Sequence, residues 1–174
     1  MINFQQNHFE LFGLPQRFQL DLRRLDEAYR AIQSQVHPDR FVRASDAERR
    51  VSMQSATQVN EAYRTLKSPL ARARYLLALQ HIDVASESNT AMPAEFLQQQ
   101  MQWRESVEDA AHQPEALAAL ARRLADEMKN HYADLERCLD REGGYTLATE
   151  SVRKLMFLER LREEIGDALE GADA

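Results

Sequence analysis

The side chains best suited to chemistry are His37, Pro38 and Asp39, an imidazole and a carboxylate flanking a ring that fixes one backbone angle. Three uses fit such a tripeptide. It is an ordinary helix stop, with Asp39 accepting local amide hydrogen bonds. It is an acid–base pair, although no phosphate-cradling glycine loop, nucleophile motif or third catalytic element accompanies it. Or it is a rigid element presented to another protein. Metal chemistry has less support, because His8, His37, His81, His112 and His131 are scattered. None stands in an H-x-x-x-H or H-E-x-x-H relation that would bring two ligands to one helix face. His131 and Cys138, one heptad apart, read as a helix-edge histidine and a small buried thiol. One cysteine closes no intramolecular disulfide and builds no four-thiolate site. No metal, cofactor or cluster ligand set is expected, and the chain does not read as an enzyme.

Two helices must hold the tripeptide. Leu22, Leu25, Tyr29, Ile32 and Val36 step by three and four and form one apolar stripe, with Asp21 as its N-cap. Pro38 ends that helix, because it lacks an amide hydrogen and drives the preceding residue out of the helical region. Periodicity resumes near Asp46, with Met53, Ala56, Val59, Tyr63 and Leu66 on a second stripe that stops at Ser68-Pro69. The two stripes bury most simply against each other, in an antiparallel hairpin whose loop carries residues 37–45, with Phe9, Phe12 and Leu14 sealing one end. A further apolar segment runs from Pro69 to about Ile82, and the polar, Ser/Asn/Thr-rich stretch after it reads as a domain boundary. Pro93 suits the first turn of a new helix, and helical segments near 93–111, 114–141 and 146–170 predict a three-helix bundle, with Gly143-Gly144 as a turn.

Composition agrees with an all-α chain: 5 Gly and 5 Pro in 174 residues leave few turns among long helices. Residues 1–81 hold 12 Lys plus Arg against 8 Asp plus Glu, whereas residues 82–174 hold 10 against 20. The halves therefore differ in task, and so weak a basic excess argues against a nucleic-acid partner. The amino terminus has neither a basic start nor a continuous apolar core, and no apolar run reaches the ~20 residues of a membrane span. A soluble cytoplasmic protein is expected.

Two outer faces remain. On the first hairpin helix Arg23, Glu27, Arg30 and Ser34 lie opposite the apolar stripe, at a spacing that lets the charges pair with one another. On the helix after Pro93, Phe96, Trp103, Val107 and Ala110 share a core sector. Leu97, Met101, Arg104, Glu105 and Glu108 fall in another sector ~120° away. That second sector is either an extension of the core or a partner surface with apolar anchors and a charged rim. On the last helix Leu155, Leu158, Leu161, Ile165 and Leu169 form the core stripe, and Phe157 lies off its centre.

His37-Pro38-Asp39-Arg40 at the end of one amphipathic helix, followed by Asn60-Glu61-Ala62-Tyr63-Arg64-Thr65-Leu66 on the next, resembles a J domain. More narrowly, the chain resembles the HscB family, J-type co-chaperones of iron–sulfur cluster assembly. The residues that carry the likeness are Phe9-Glu10-Leu11-Phe12-Gly13-Leu14-Pro15, His37-Pro38-Asp39-Arg40-Phe41, Ser68-Pro69-Leu70-Ala71-Arg72-Ala73-Arg74-Tyr75-Leu76-Leu77 and Arg153-Lys154-Leu155-Met156-Phe157-Leu158. The resemblance implies a J domain at 1–81, a linker at 82–92 and a scaffold-binding three-helix bundle at 93–174. It implies that His37, Pro38 and Asp39, with Arg23 and Arg30, dock on an HscA/DnaK-class chaperone and stimulate its ATPase. It also implies that Leu97, Met101, Arg104, Glu105 and Phe157 bind an IscU-type scaffold, although Gln98 and Gln102 stand where the family often has methionine or glutamate. Two other readings are a J-domain protein serving a different client and a helical interaction module with no ATPase effect.

Overall fold

A computed structural model of the chain describes residues 3, 5–41, 44–84 and 94–172, and every regular element among them is helical. Residues 85–93, with most of the expected linker and Pro93, lie outside the described residues, as do the side chains of Pro38 and Arg40. The chain divides into two compact units, Met1–Leu76 and Leu77–Ala174.

The first unit opens with a single turn, α1 (His8–Leu11), held by a capping box. Asn7 accepts the amides of Phe9 and Glu10, and Glu10 reaches back to the Asn7 amide. Phe9, Phe12 and Leu14 are buried, as the sequence predicts, and Leu11 is buried with them. Helix α2 (Leu22–Val36) starts at Asp21, whose carboxylate accepts the Arg23 and Arg24 amides. A 3-10 turn (Pro38–Phe41) follows, and α3 (Asp46–Lys67) begins at a second capping box formed by Ser45 and Glu48. Helix α4 (Pro69–Leu79) continues past the division between the units, which falls after Leu76. Within the first unit its buried Arg72 donates to the Leu66 carbonyl at 2.6 Å, and the guanidinium lies over the Phe18 ring.

Helices α2 and α3 run antiparallel, joined by a ladder of polar contacts. The Tyr63 hydroxyl and the Lys67 ammonium both donate to the Asp26 carboxylate, at 3.0 and 2.6 Å. That bond holds Asp26 below the usual carboxylate range and Lys67 above the usual ammonium range. One turn on, the Tyr29 and Tyr63 rings stack at 4.0 Å, and the Tyr29 hydroxyl donates to Asn60. At the end of α2, the Ser52 hydroxyl donates to the Val36 carbonyl at 2.7 Å.

This last contact corrects the expected register of α3. Met53, Ala56, Val59, Tyr63 and Leu66 were to form its buried stripe. The structure buries Ser52, Ser55, Val59, Ala62 and Leu66, and leaves Met53 61% exposed. A serine permits the close approach that its bond to Val36 requires, where a methionine would hold the helices apart. Leu22, placed on the α2 stripe, is likewise exposed at the first turn.

The second unit contains α5 (Ala94–Ala110), α6 (Pro114–Arg137) and α7 (Tyr145–Ala172). Helix α6 buries Leu117, Leu120, Leu124, Met128 and Leu135, and α7 buries Leu155, Leu158, Leu161 and Ile165, while Leu169 stays half-exposed. Between them α6 runs into a π-helical turn (Cys138–Glu142), and Gly143, at φ 62°, takes the left-handed conformation that ends it. Helix α5 buries Phe96, Trp103 and Ala110, one residue every two turns, a narrow seam. The Arg123 guanidinium covers the Trp103 ring at 4.5 Å. The Val84 carbonyl accepts from the Arg153 guanidinium, which fixes the chain entering residues 85–93.

In the first unit, His8 stacks on Tyr75 at 4.1 Å and its amide donates to the Tyr75 hydroxyl. Burial pushes the His8 imidazole below its ordinary range, and the Glu61 charge acts the other way. The unfolded chain therefore binds this proton more readily than the folded one. The stability that His8 contributes is full above its unfolded value and is lost as pH falls through its lower folded value. Urea unfolding followed by the Tyr75 ring resonance should show stability declining as pH falls from above the ordinary imidazole range through the lower folded value of His8, and His8→Phe should flatten that decline.

Candidate functional site

The corner after α2 is assembled from backbone conformation, one hydrogen bond and one imidazole–carboxylate contact. His37 leaves the helix with φ −59° and ψ 129°, an extended geometry that suits the residue before a proline. The Asp39 amide donates to His37 Nδ1 at 3.3 Å, and the Asp39 carboxylate lies 3.4 Å from the same nitrogen. The side chains remain in solvent, His37 50% and Asp39 85% exposed. An imidazole and a carboxylate are thus offered together. Pro38 opens the 3-10 turn between them.

Beside the corner a cleft of about 790 Å³ is lined by Leu11, Ile32, Val36, Phe41, Val51 and Ser52, among others. It leaves Ile32 and Val36 half-exposed. On the outer side of α2, Arg23, Glu27, Arg30 and Ser34 are all exposed. Among the described residues no ion pair joins Arg23, Glu27 and Arg30 to one another. Arg30 instead adds its charge to the field that holds Asp26 ionised, and the Ser34 hydroxyl donates back to the Ala31 carbonyl.

The second unit has its own candidate surface. Leu97 and Met101 are 51% and 63% exposed, so they do not extend the core stripe of α5, and Arg104, Glu105 and Glu108 are exposed with them. Phe157 on α7 is half-buried and meets the buried Phe96 edge-on, with ring centroids 5.9 Å apart. The Lys154 ammonium lies 5.8 Å from the Phe96 ring centre, and Gln99 donates to Glu127 at 2.5 Å. The arrangement brings the Phe157 ring to α5, the helix that carries Leu97 and Met101. These surfaces can bind; among the described residues no group of three or more His, Cys, Asp or Glu is placed to hold a metal ion. Among the described residues no helix is long and apolar enough to cross a membrane. Sequence reasoning missed Ser52, whose only signal was that Ser52 and Ser55 continue the small-residue face through Val59 and Ala62.

Comparison with known proteins gives one family throughout. Residues 92–166 match the model of the HSCB C-terminal oligomerisation domain. A co-chaperone protein HscB homolog of Paraburkholderia phymatum is 53% identical over 175 residues, covering 99% of each chain. Among solved structures, chaperone HscB from Vibrio cholerae superposes with a TM-score of 0.86 at 36% identity, over 96% of this chain and 99% of that one. Human co-chaperone protein HscB gives 0.89 at 26% identity, over 94% and 82%.

The division of α5 into core and surface faces is measurable. Phe96→Ala should destabilise the second unit by about 3–5 kcal/mol, whereas Leu97→Ala should change it by less than about 0.5 kcal/mol. Urea unfolding followed by the fluorescence of Trp103, the single tryptophan, reads both.

Proposed function

Because the chain belongs to the HscB family of J-type co-chaperones, which serve iron–sulfur cluster assembly, we propose that it brings an IscU-type scaffold to an HscA/DnaK-class chaperone and triggers that chaperone's ATPase. The observation that carries this reading is the solvent-exposed His37 and Asp39 pair at a hydrogen-bonded corner. Asp39 supplies a carboxylate for a charge-assisted bond with an arginine of the chaperone. Its site is the chaperone's ATPase domain, near the interdomain linker. The cationic groups of Arg23 and Arg30, unpaired with Glu27, meet an acidic patch on the same partner. His37, Pro38 and Asp39 make no bond in the reaction. They bind one state of a two-state machine better than the other and shift its population toward hydrolysis.

The 93–174 bundle holds the scaffold. Leu97 and Met101 act as apolar anchors, Phe157 adds a ring whose edge-on contact with Phe96 limits its freedom, and Arg104 and Glu105 form a charged rim. Holding both partners on one chain raises the scaffold's effective concentration at the chaperone without any new contact. The cluster travels on the scaffold, and the protein works in the cytoplasm.

Asp39→Ala should abolish ATPase stimulation of an HscA-class chaperone while leaving the helical circular dichroism unchanged; stimulation by a folded variant would overturn the chaperone half of the proposal. Chaperone binding should weaken as salt rises through the range where the screening length falls below ~10 Å. Leu97→Ala, Met101→Ala and Phe157→Ala combined should lower scaffold affinity by at least about 30-fold in calorimetric titration, as expected for loss of several interface anchors. Stimulation without scaffold should not change.

A further inference from the structure

We propose that Ser52 is a positioning residue for the docking corner: through its bond to the Val36 carbonyl it sets the direction in which His37 and Asp39 leave α2. This rests on the co-chaperone reading above. A helix end leaves its last carbonyls without amide partners. Here Val36 is the last helical residue and His37 turns to extended geometry, while Pro38 has no amide to give back. The Val36 carbonyl is therefore an orphan of the helix, and the Ser52 hydroxyl satisfies it from α3 at 2.7 Å. Ser52 is only 4% exposed, so water does not compete freely for the bond. Packing on the cleft side cannot substitute, because Val36, Phe41 and Val51 face open volume there. From this fixed carbonyl the chain passes directly into His37, whose Nδ1 takes the Asp39 amide. Ser52 thus governs the orientation of both docking side chains without touching a partner.

Three substitutions test the assignment. Ser52→Ala removes the donor, Ser52→Cys keeps the volume with a poor donor, and Ser52→Thr keeps the hydroxyl. Ser55→Ala, at a buried serine one turn further along α3, is the control for loss of packing. ATP turnover by an HscA-class chaperone should fall roughly tenfold at saturating Ser52→Ala or Ser52→Cys, the scale expected of a small misplacement. It should hold near the starting value for Ser52→Thr and Ser55→Ala. Amide exchange of Asp39 should quicken in the first two variants while that of Leu25 and Val59 does not. Wild-type stimulation and Asp39 exchange in folded Ser52→Ala would overturn the proposal, as would equal loss in all three Ser52 variants. Asp39→Ala in the same assay separates the two claims. If it keeps stimulation, the co-chaperone reading fails; if it loses stimulation and the Ser52 variants do not, only the role of Ser52 fails.

Discussion

A helix that stops must find partners for the carbonyls it leaves behind, and in this chain that need is met across the hairpin. The Val36 carbonyl would otherwise be an unpaired acceptor beside a cleft, and the Ser52 hydroxyl pairs it. The contact sets the register of α3 and brings Ser52, Ser55, Val59, Ala62 and Leu66 to face α2 and its neighbours. Further along the seam, Asp26 gathers Tyr63 and Lys67, and Tyr29 bonds Asn60, so several polar rungs hold the two helices in one alignment. Nearest the corner, the Ser52 bond ties the last residue of α2 to α3, and a docking element held on such a frame pays less ordering entropy at each encounter.

The second unit solves a different problem. Helix α5 buries Phe96, Trp103 and Ala110 against the bundle, aided by the Arg123 cation over Trp103 and the bond from Gln99 to Glu127. A seam one residue wide leaves most of the helix surface free, including Leu97 and Met101. Exposed apolar side chains cost solubility unless something covers them, and the charged Arg104 and Glu105 nearby fit a surface that is covered only part of the time. The edge-on contact of Phe96 with Phe157 places one ring in the core and offers the other outside. Core packing and surface presentation are thus coupled through neighbouring residues.

Much of this was legible in the residues. The helix stop at Pro38, the Asp21 cap, the break at Ser68-Pro69 and most of the α5 core sector follow from backbone sterics and a ~100° turn per residue, and the structure has them, except that Val107, expected in that sector, is only half-buried. The register of α3 was not legible, because hydrophobicity favours Met53 over Ser52 for the buried face. The deciding term was a hydrogen bond to a carbonyl on another helix, which no periodicity encodes. The His8–Tyr75 stack was hidden for the same reason: it joins residues 67 positions apart. Whether Arg23, Glu27 and Arg30 pair was undecidable from spacing, since exposed pairs at that distance gain too little to fix their rotamers.

We propose that the chaperone reads the corner together with the outer face of α2. Amide hydrogen exchange of the whole protein, with and without an ATP-loaded HscA-class chaperone and in the absence of scaffold, addresses it directly. Slowed exchange is expected at His37, at residues 39–41 and along the turns of α2 that carry Arg23 and Arg30, with α5 unchanged. Slowed exchange along α5 with an unaltered corner would contradict it.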